Sequence, residues 1–154
     1  MLSQKTRYAL KAMLELAALP AGESLSCAQV ASRCQVPVKF LEAILGELKR
    51  AGMVHGERGR SGGYRLARAA ESISFGSLVR LMEGPLALLP CVSVTQYQPC
   101  EDCVDVQTCE LRKAFRLVRD STAAILDGWT LADSRRHVKL PRAAKISKSP
   151  RRHS

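Results

Sequence analysis

The spacing of apolar residues over the first fifty positions predicts three helices. The first is predicted from Ser3 to Leu19, because apolar residues recur there at helical spacing and Pro20-Ala21-Gly22 follows. Ser26 is a suitable N-cap for a short second helix. A third helix is predicted from Val38 to Arg50. Its buried face is expected to carry Leu41, Ile44, Leu45 and Leu48.

The pattern then changes to two short strands followed by two more helices. Residues 53–55 and 64–67 are predicted to form strands on either side of a glycine-rich turn. A short helix is predicted over residues 75–83, where Gly84-Pro85 ends it. The last helix is predicted over residues 108–126. Its apolar stripe consists of Leu111, Phe115, Val118, Thr122, Ile125 and Leu126.

This order of elements is that of a winged helix-turn-helix domain. The predicted fold class is mainly α with a small β wing, consisting of that domain and a long C-terminal helix. The predicted divisions are residues 1–84 for the winged domain, 85–109 for a cysteine-rich loop, 110–133 for the last helix and its end, and 134–154 for a basic tail. The tail lacks periodicity and is expected to be disordered.

Composition narrows the class of protein. The chain has 154 residues, 46% of them hydrophobic, which is enough for one packed domain of ordinary size. No apolar run reaches the roughly 18–20 residues that a membrane span needs, and the N-terminus lacks a secretory pattern. These features predict a cytoplasmic protein without a membrane partner.

The charge falls into three blocks. Residues 1–70 carry 11 Lys and Arg against 5 Glu, residues 71–134 carry 5 against 9 acidic residues, and residues 135–154 carry 8 against none. The basic first block indicates contact with a polyanion, and the acidic middle indicates another role. The alternative is a soluble basic protein with a solvated tail.

The start of the third helix is the candidate for reading DNA. In a helix-turn-helix, the first turn of the second helix of the pair enters the major groove, where base pairs present distinct donors and acceptors. Here that turn contains Val38, Lys39, Phe40 and Glu42. The lysine can reach a phosphate or guanine, the glutamate can accept from cytosine, and the phenylalanine can contact a sugar or a thymine methyl group.

The glycine-rich turn is the second candidate for DNA contact. Arg58, Arg60 and Arg65 surround its glycines, and arginines favour the negative potential of a narrow minor groove. The candidate contacts are Arg58, Gly59, Arg60, Ser61, Gly62 and Gly63. A nucleotide-binding loop is a weak alternative, because no Gly-Lys-Ser/Thr follows. An ordinary hairpin loop that is basic would also explain the pattern.

Four cysteines lie within nineteen residues, with the spacing C-x8-C-x2-C-x5-C. They are Cys91, Cys100, Cys103 and Cys109. Thiolates at such spacing bind an iron–sulfur cluster or zinc, or pair with each other. In a reducing cytosol, a disulfide framework is the less expected of these. The acidic residues between them suit a cation and oppose a lowered thiol pKa.

Cys27 and Cys34 are interpreted differently from the cluster. They are seven residues apart on one predicted helix, a separation of roughly 10 Å along the axis, which exceeds the reach of a disulfide. We expect each to be a small buried hydrophobic residue.

Three segments of the chain carry a resemblance to a known family. Arg7-Tyr8-Ala9-Leu10, Val38-Lys39-Phe40-Leu41-Glu42 and the run from Arg58 to Tyr64 resemble the Rrf-type winged-helix transcriptional regulators, which include IscR, NsrR and RirA. The resemblance extends from Met1 to about Asp133. It implies a homodimeric repressor or activator that binds pseudo-palindromic double-stranded DNA, with the helix over residues 108–126 crossing to the partner subunit.

The same resemblance implies a ligand set. Cys103 and Cys109 match the last two cysteines of cluster-binding members, and Cys91 and Cys100 stand on either side of the place of the first. Arg112 stands where IscR-like proteins have a histidine ligand, and Arg7 near the aspartate of NsrR-like proteins. Because arginine cannot ligate a metal, the expected set is four cysteines. A carboxylate from Glu101, Asp102, Asp105 or Glu110 is the alternative fourth ligand.

These observations predict a dimeric transcriptional regulator rather than an enzyme. Its affinity for DNA would be set by a 2Fe–2S or 4Fe–4S cluster, or by the redox state of the cysteine-rich loop, with zinc as the alternative metal. None of His55, His137 and His153 has a partner acid or nucleophile that the sequence can assign. An electron-transfer protein and a zinc-stapled basic RNA-binding protein are two competing hypotheses for the same residues.

Replacing Arg58 with alanine tests the wing. We expect operator affinity to fall by a few kcal/mol at most and its salt dependence to become shallower, because one phosphate or groove contact is lost. The measurement is operator binding by fluorescence anisotropy over a series of salt concentrations. An unchanged slope would show that the wing does not meet DNA.

Overall fold

The structure is a computed structural model that describes residues 2–57, 59 and 62–135. The elements, in chain order, are α1 (Gln4–Ala17), α2 (Cys27–Cys34), α3 (Val38–Arg50), β1 (Val54–Gly56), β2 (Tyr64–Leu66), α4 (Phe75–Glu83) and α5 (Glu110–Asp127). Short 3-10 turns lie at Ala70–Ser72, Pro90–Val92 and Asp133–Arg135. In this part of the chain, no helix is long and apolar enough to cross a membrane.

The predicted fold class is confirmed, and local signals explain the helix bounds. Ser26 caps α2 through a reciprocal capping box with Gln29, as its position predicts. The bounds of α3 and α4 agree with the predicted ones. Helix α1 ends two residues before the predicted Leu19. Helix α5 begins two residues late, because the Asp105 carboxylate accepts hydrogen bonds from the residue 107 amide and the residue 108 hydroxyl and holds a turn there.

The core is formed where α1, α2 and α3 pack together over the small sheet and α4. Helix α3 contributes the four residues predicted from its spacing, all of them buried. The largest fully buried side chains of the described residues include Met13, Leu41, Leu45, Leu48, Ile73, Leu78 and Leu131. Burial of such side chains stabilises each by about 1.5–3 kcal/mol relative to exposure.

The wing is a two-stranded antiparallel sheet whose base is fixed to the preceding helix pair. Val54 pairs with Leu66 and Gly56 with Tyr64. Leu25, directly before the Ser26 cap, adds a single bridge, in which the Tyr64 amide donates to the Leu25 carbonyl at 2.7 Å. A Cβ on Gly63 would lie 2.8 Å from the Leu25 backbone, so only glycine allows this close approach.

The segment after α5 returns to the core of the winged domain. The Phe75 amide donates to the Trp129 carbonyl at 2.8 Å, and the Leu131 amide to the Ile73 carbonyl at 2.9 Å. Leu131 is 0% exposed, although no periodic pattern in the sequence predicts it as a core residue. These hydrogen bonds fix the segment after α5 to the extended residues that precede α4.

A bidentate ion pair lies beside this return. Arg80 of α4 donates through both terminal nitrogens to the Asp127 carboxylate at the end of α5. A Cβ on Gly76 would collide with that carboxylate, so glycine allows the two helices to approach. The bond from Arg80 lowers the pKa of Asp127, which keeps the pair charged.

The predicted disordered tail begins at residue 134. The structure places residues 134 and 135 in the last 3-10 turn, which is a difference from that prediction. Residues 136–154 lie outside the described residues, so their predicted disorder stays a prediction.

A carboxylate at the end of α4 links that helix to the start of α1. Glu83 accepts a hydrogen bond from the Ser3 amide at 2.6 Å and another from the hydroxyl of Thr6, which is fully buried. The bonds from Ser3 and then Thr6 lower the pKa of Glu83 to about 2. The link stands immediately before the Gly84-Pro85 entry to the cysteine-rich loop.

Replacing Glu83 with glutamine is expected to reduce thermal stability at neutral pH. The folded carboxyl has a pKa of about 2 against an ordinary value of 4.5, so its contribution is present above pH 4.5 and is lost as the pH falls toward 2. Thermal unfolding followed by circular dichroism should show a difference from wild type that shrinks across that window. Glu71→Gln is the control, because no hydrogen bond to the Glu71 side chain is found among the described residues. A difference that is constant with pH would contradict the assignment.

Candidate DNA interface and cysteine pocket

The first turns of α3 present the predicted DNA-reading residues on the surface. Val38, Lys39, Phe40 and Glu42 are all exposed, with Phe40 65% exposed although it is aromatic. Leu41 between them is fully buried, so one residue anchors the helix while its neighbours face outward. The four candidates are therefore accessible at the start of α3, with Phe40 on the side next to α1.

The turn between α2 and α3 determines how this surface is presented. Gln35 ends α2 in the left-handed conformation with φ of 55°, and the amide of buried Val36 donates back to the Ala31 carbonyl at 3.0 Å. Pro37 then begins α3 without any side-chain cap. The Phe40 amide donates to the Pro37 carbonyl, and among the described residues no side chain caps the Val38 and Lys39 amides before it.

The structure describes only part of the wing tip. Arg58, Arg60 and Ser61 lie outside the described residues, so their predicted DNA contacts stay predictions. Gly59 is exposed with φ of 120°, and Gly62 is half-buried. Gly63 is buried against Leu25, which gives it a packing role, and a DNA contact by Gly63 is also untested.

Arg65 is engaged in an ion pair within the wing. It donates to Glu57 at 2.8 Å across the hairpin, and this bond lowers the pKa of Glu57. Both side chains are substantially exposed, so water screens the pair and it contributes little to stability.

The four clustered cysteines line one pocket between the cysteine-rich loop and the start of α5. Its volume is about 500 Å³, and Cys91, Cys100, Cys103 and Cys109 all contribute to its wall. Cys91 is buried in the 3-10 turn Pro90–Val92, whereas the other three are half-buried. The sequence spacing predicted this grouping, but not that one cysteine would be buried.

The thiols differ in their surroundings. Cys91 and Cys100 form a hydrogen bond, which is the main cause of a raised pKa at Cys100, and Cys103 and Asp102 raise it further. Among the described residues, no three Cys, His, Asp or Glu side chains lie close enough together to hold a metal ion as they stand. The donor set nevertheless fits a thiolate-bound cluster, because four soft sulfur atoms share one pocket wall.

The candidate carboxylate ligands are unequally placed. Asp102 and Asp105 line the pocket. Asp105 is occupied by the turn before α5, and those hydrogen bonds, first that from the residue 107 amide, lower its pKa. Glu110 is paired with Lys113 at 2.7 Å. Asp102 is therefore the carboxylate best placed to complete a ligand set, after the four cysteines.

Two arginines of α5 are functional candidates that sequence reasoning missed. Arg112 lines the cysteine pocket and donates to the Cys91 carbonyl, and Arg119 donates to the Val92 carbonyl. In the sequence analysis, Arg112 was considered only as a residue that cannot bind a metal.

Arg7, the other arginine that stands near a ligand position of the relatives, is exposed on α1.

Cys27 and Cys34 are separate from the pocket. Cys34 is buried, as predicted, whereas Cys27 is only half-buried, with its sulfur 4.0 Å from the Val38 carbonyl oxygen. Burial raises the pKa of both thiols. A raised pKa keeps a thiol protonated and unreactive, which suits the structural role expected for them.

Helix α5 has an apolar face that the described residues leave uncovered. None of its residues is buried, and Leu111, Val118 and Ile125 are exposed at intervals of seven residues. Intervals of seven place residues on one side of a helix. Of the predicted stripe, Leu111, Val118 and Ile125 are exposed, whereas Phe115, Thr122 and Leu126 are half-buried.

A helix pair with an exposed reading turn, a basic wing and a long helix outside the core together define a winged-helix DNA-binding regulator. The sequence matches the Rrf2 family, described as iron-dependent transcriptional regulators, over residues 2–136. The chain therefore belongs to the Rrf2 family, and it is a transcriptional regulator rather than an enzyme.

Individual relatives agree with this assignment. An Rrf2-like HTH-type transcriptional regulator of Rhodobacter capsulatus is 46% identical over 136 residues, which cover 86% of this chain and 91% of the relative. CymR, the global cysteine regulator of B. subtilis, superposes with a TM-score of 0.73 at 28% identity, covering 90% of this chain and 98% of CymR. IscR of T. potens gives 0.69 at 26% identity, covering 94% and 93%.

Proposed function

We propose that this regulator binds a pseudo-palindromic operator as a homodimer, with an affinity set by an iron–sulfur cluster in the cysteine pocket. The observation that carries the proposal is the convergence of four thiols on one pocket at the start of the exposed helix α5. A site there adjoins the surface through which two subunits would meet. Since operators lie on chromosomal DNA, the expected location is the cytoplasm.

The DNA contacts follow from the surface of α3 and the wing. Val38, Lys39, Phe40 and Glu42 would enter the major groove, because they are exposed around the buried anchor Leu41. The wing would contact the adjacent backbone or minor groove. Its proposed contacts are Arg58, Gly59, Arg60, Ser61, Gly62 and Gly63.

The homodimer is supported by the uncovered face of α5. Leu111, Val118 and Ile125 form one apolar row, and the small, exposed residues Ala114 and Ser121 stand between them. This alternation allows two copies of the helix to interdigitate as in a coiled coil. We also propose the domain divisions after residues 84, 109 and 133, because α4 ends at Glu83 and α5 extends from Glu110 to Asp127.

The cluster ligands are proposed to be Cys91, Cys100, Cys103 and Cys109. Four thiolates suit a 2Fe–2S or 4Fe–4S cluster, which when bound supplies a centre that responds to iron, oxidants or reductants. The family's description as iron-dependent and the likeness to IscR support iron over zinc. Asp102 is the alternative ligand.

A thiol–disulfide switch is the second candidate function. The contact between the Cys91 and Cys100 thiols favours it, and the likeness to CymR, a cysteine regulator, is consistent with it. The raised pKa of Cys100 counts against rapid oxidation, because the thiolate is the reactive form.

Regulation would act through the order of the cysteine-rich loop. Ligation draws the loop against α5, and loss of ligation releases it, which changes how the two winged domains sit on adjacent half-sites. A tenfold change in operator affinity needs only about 1.4 kcal/mol of coupling. A modest rearrangement of the loop is therefore sufficient.

The substitutions Cys103→Ser and Cys109→Ser test the proposed iron–sulfur cluster. We expect each variant to lose the difference in operator affinity between anaerobically iron-loaded and chelator-treated protein, because serine replaces a thiolate ligand. Electrophoretic mobility shifts would measure affinity, alongside visible absorption and assays of iron, sulfide and zinc. Cys34→Ala is the control, since that cysteine lies outside the pocket. If the serine variants respond to iron and oxidant as wild type does, the cluster proposal fails.

The substitution Val118→Glu tests the proposed dimer. The variant is expected to become monomeric at concentrations where wild type is dimeric, because two buried carboxylates would face each other across the interface. Light scattering after size exclusion measures this mass. Arg116→Glu is the matched control, an exposed change on another side of α5. A Val118→Glu protein that stays dimeric would show that this face is not the interface.

A further inference from the structure

The 3-10 turn that carries Cys91 is tied to α5 by two guanidinium groups. Arg112 donates from Nε to the Cys91 carbonyl at 3.2 Å, and Arg119 donates from Nη1 to the next carbonyl, that of Val92. The arginines are seven residues apart, so they project from one side of the helix. Two successive peptide groups of the loop are thereby held by one face of the same helix.

These bonds are in a partly desolvated setting. Cys91 is 4% exposed and Val92 2% exposed, and the Arg119 side chain is only 17% exposed. Arg119 is itself held in place by Asp120, which accepts from its Nε at 2.8 Å. Hydrogen bonds from a charged donor are among the stronger ones, and low exposure to water preserves their strength.

The other cysteines of the pocket lack this arrangement. The Cys100 carbonyl accepts from the Cys103 amide within the loop, and the Cys109 carbonyl accepts from the Lys113 amide within α5. In the part of the chain that the structure describes, Cys91 is the one pocket cysteine that is buried and bonded to an arginine side chain. It is also the pocket cysteine farthest in sequence from α5.

We propose that Arg112 and Arg119 are positioning residues that fix the Cys91 turn to α5, so that this sulfur ligand and the helix move together. This inference rests on the proposed function, in which Cys91 is a cluster ligand. It identifies Cys91 as a second ligand fixed to the helix, besides Cys109 at the N-cap of α5. Cys100 and Cys103 then belong to the part of the loop that closes and opens.

Arg112 is expected to have a second effect, because this cationic residue also lines the pocket. A site of four thiolates carries excess negative charge, and a nearby cation favours the more reduced, more negative state. Arg112 would therefore raise the reduction potential of a bound cluster. Arg119 bonds to the same turn but does not line the pocket, so the two arginines can be distinguished.

Alkylation of the reduced, metal-free full-length chain tests the positioning role. Arg112→Gln and Arg119→Gln should each increase the rate at which iodoacetamide modifies Cys91 by about tenfold, the effect of losing one charge-assisted hydrogen bond on local opening. Mass spectrometry would follow each cysteine separately. Arg116→Gln is the matched control, because the described residues give Arg116 no hydrogen bond or ion pair and it is exposed on the same helix.

Cys34 and Cys103 serve as internal references within each variant. A general loss of folding would expose the core residue Cys34 as well, whereas loss of the proposed attachment increases the rate at Cys91 without increasing the rates at Cys34 and Cys103. Should either variant lose folding, Arg112→Lys supplies the test, and it should leave the Cys91 rate between those of wild type and Arg112→Gln. A wild-type Cys91 rate in both glutamine variants would overturn the proposal.

Redox titration of the iron-loaded protein tests the charge effect separately. Arg112→Gln should shift the midpoint potential to lower values, Arg112→Lys should restore most of the shift, and Arg119→Gln should change it less. Equal potentials in wild type and Arg112→Gln would refute this part. A protein that takes up no iron or sulfide would refute the proposed function instead, and the alkylation result would still decide whether the arginines hold Cys91.

Discussion

The burial of Leu131 is the constraint on which the arrangement of the two halves depends. Helix α5 has no buried residue, so its own apolar side chains do not anchor it in the core of the winged domain. The following segment provides that anchor, because Leu131 fills the core and its amide bonds to Ile73 at the entry of α4. The Arg80–Asp127 pair then sets the approach of α4 and α5 at the same end. The four residues 128–131 thus join α5 to the winged domain, although the sequence pattern shows the two as separate parts.

The opposite half of α5 faces the cysteine pocket, so the proposed sensing site and the proposed subunit contact lie on one element. The charge pattern agrees with such a division, since the basic first seventy residues contain the proposed DNA surface and the acidic middle contains the pocket. The Glu83 link to Ser3 and Thr6 connects the beginning of the loop to α1. The cysteine-rich loop is therefore connected to the winged domain in two places, through the end of α4 and through α5.

Local signals explain what the sequence predicted well. The Ser26 cap, the exposed Phe40 beside the buried Leu41, and the glycine stop after α4 each depend on neighbouring residues alone. The arginine bonds to Cys91 and Val92 span 21 and 27 residues, and no spacing rule reports a side chain that meets a distant carbonyl. The core position of Leu131 is equally invisible, because four residues are too few to show a period.

The close approach of Gly63 to Leu25 has a consequence for how this protein can be controlled. Leu25 directly precedes the Ser26 cap of α2, so the base of the wing and the helix pair share one backbone connection. Among the described residues, this connection fixes the distance between the start of the helix pair and the base of the wing. If α3 and the wing contact DNA as proposed, the geometry within one half-site is set by the domain itself. The spacing and tilt between half-sites are then what a signal would adjust, and in the proposed dimer those depend on how the two subunits are joined.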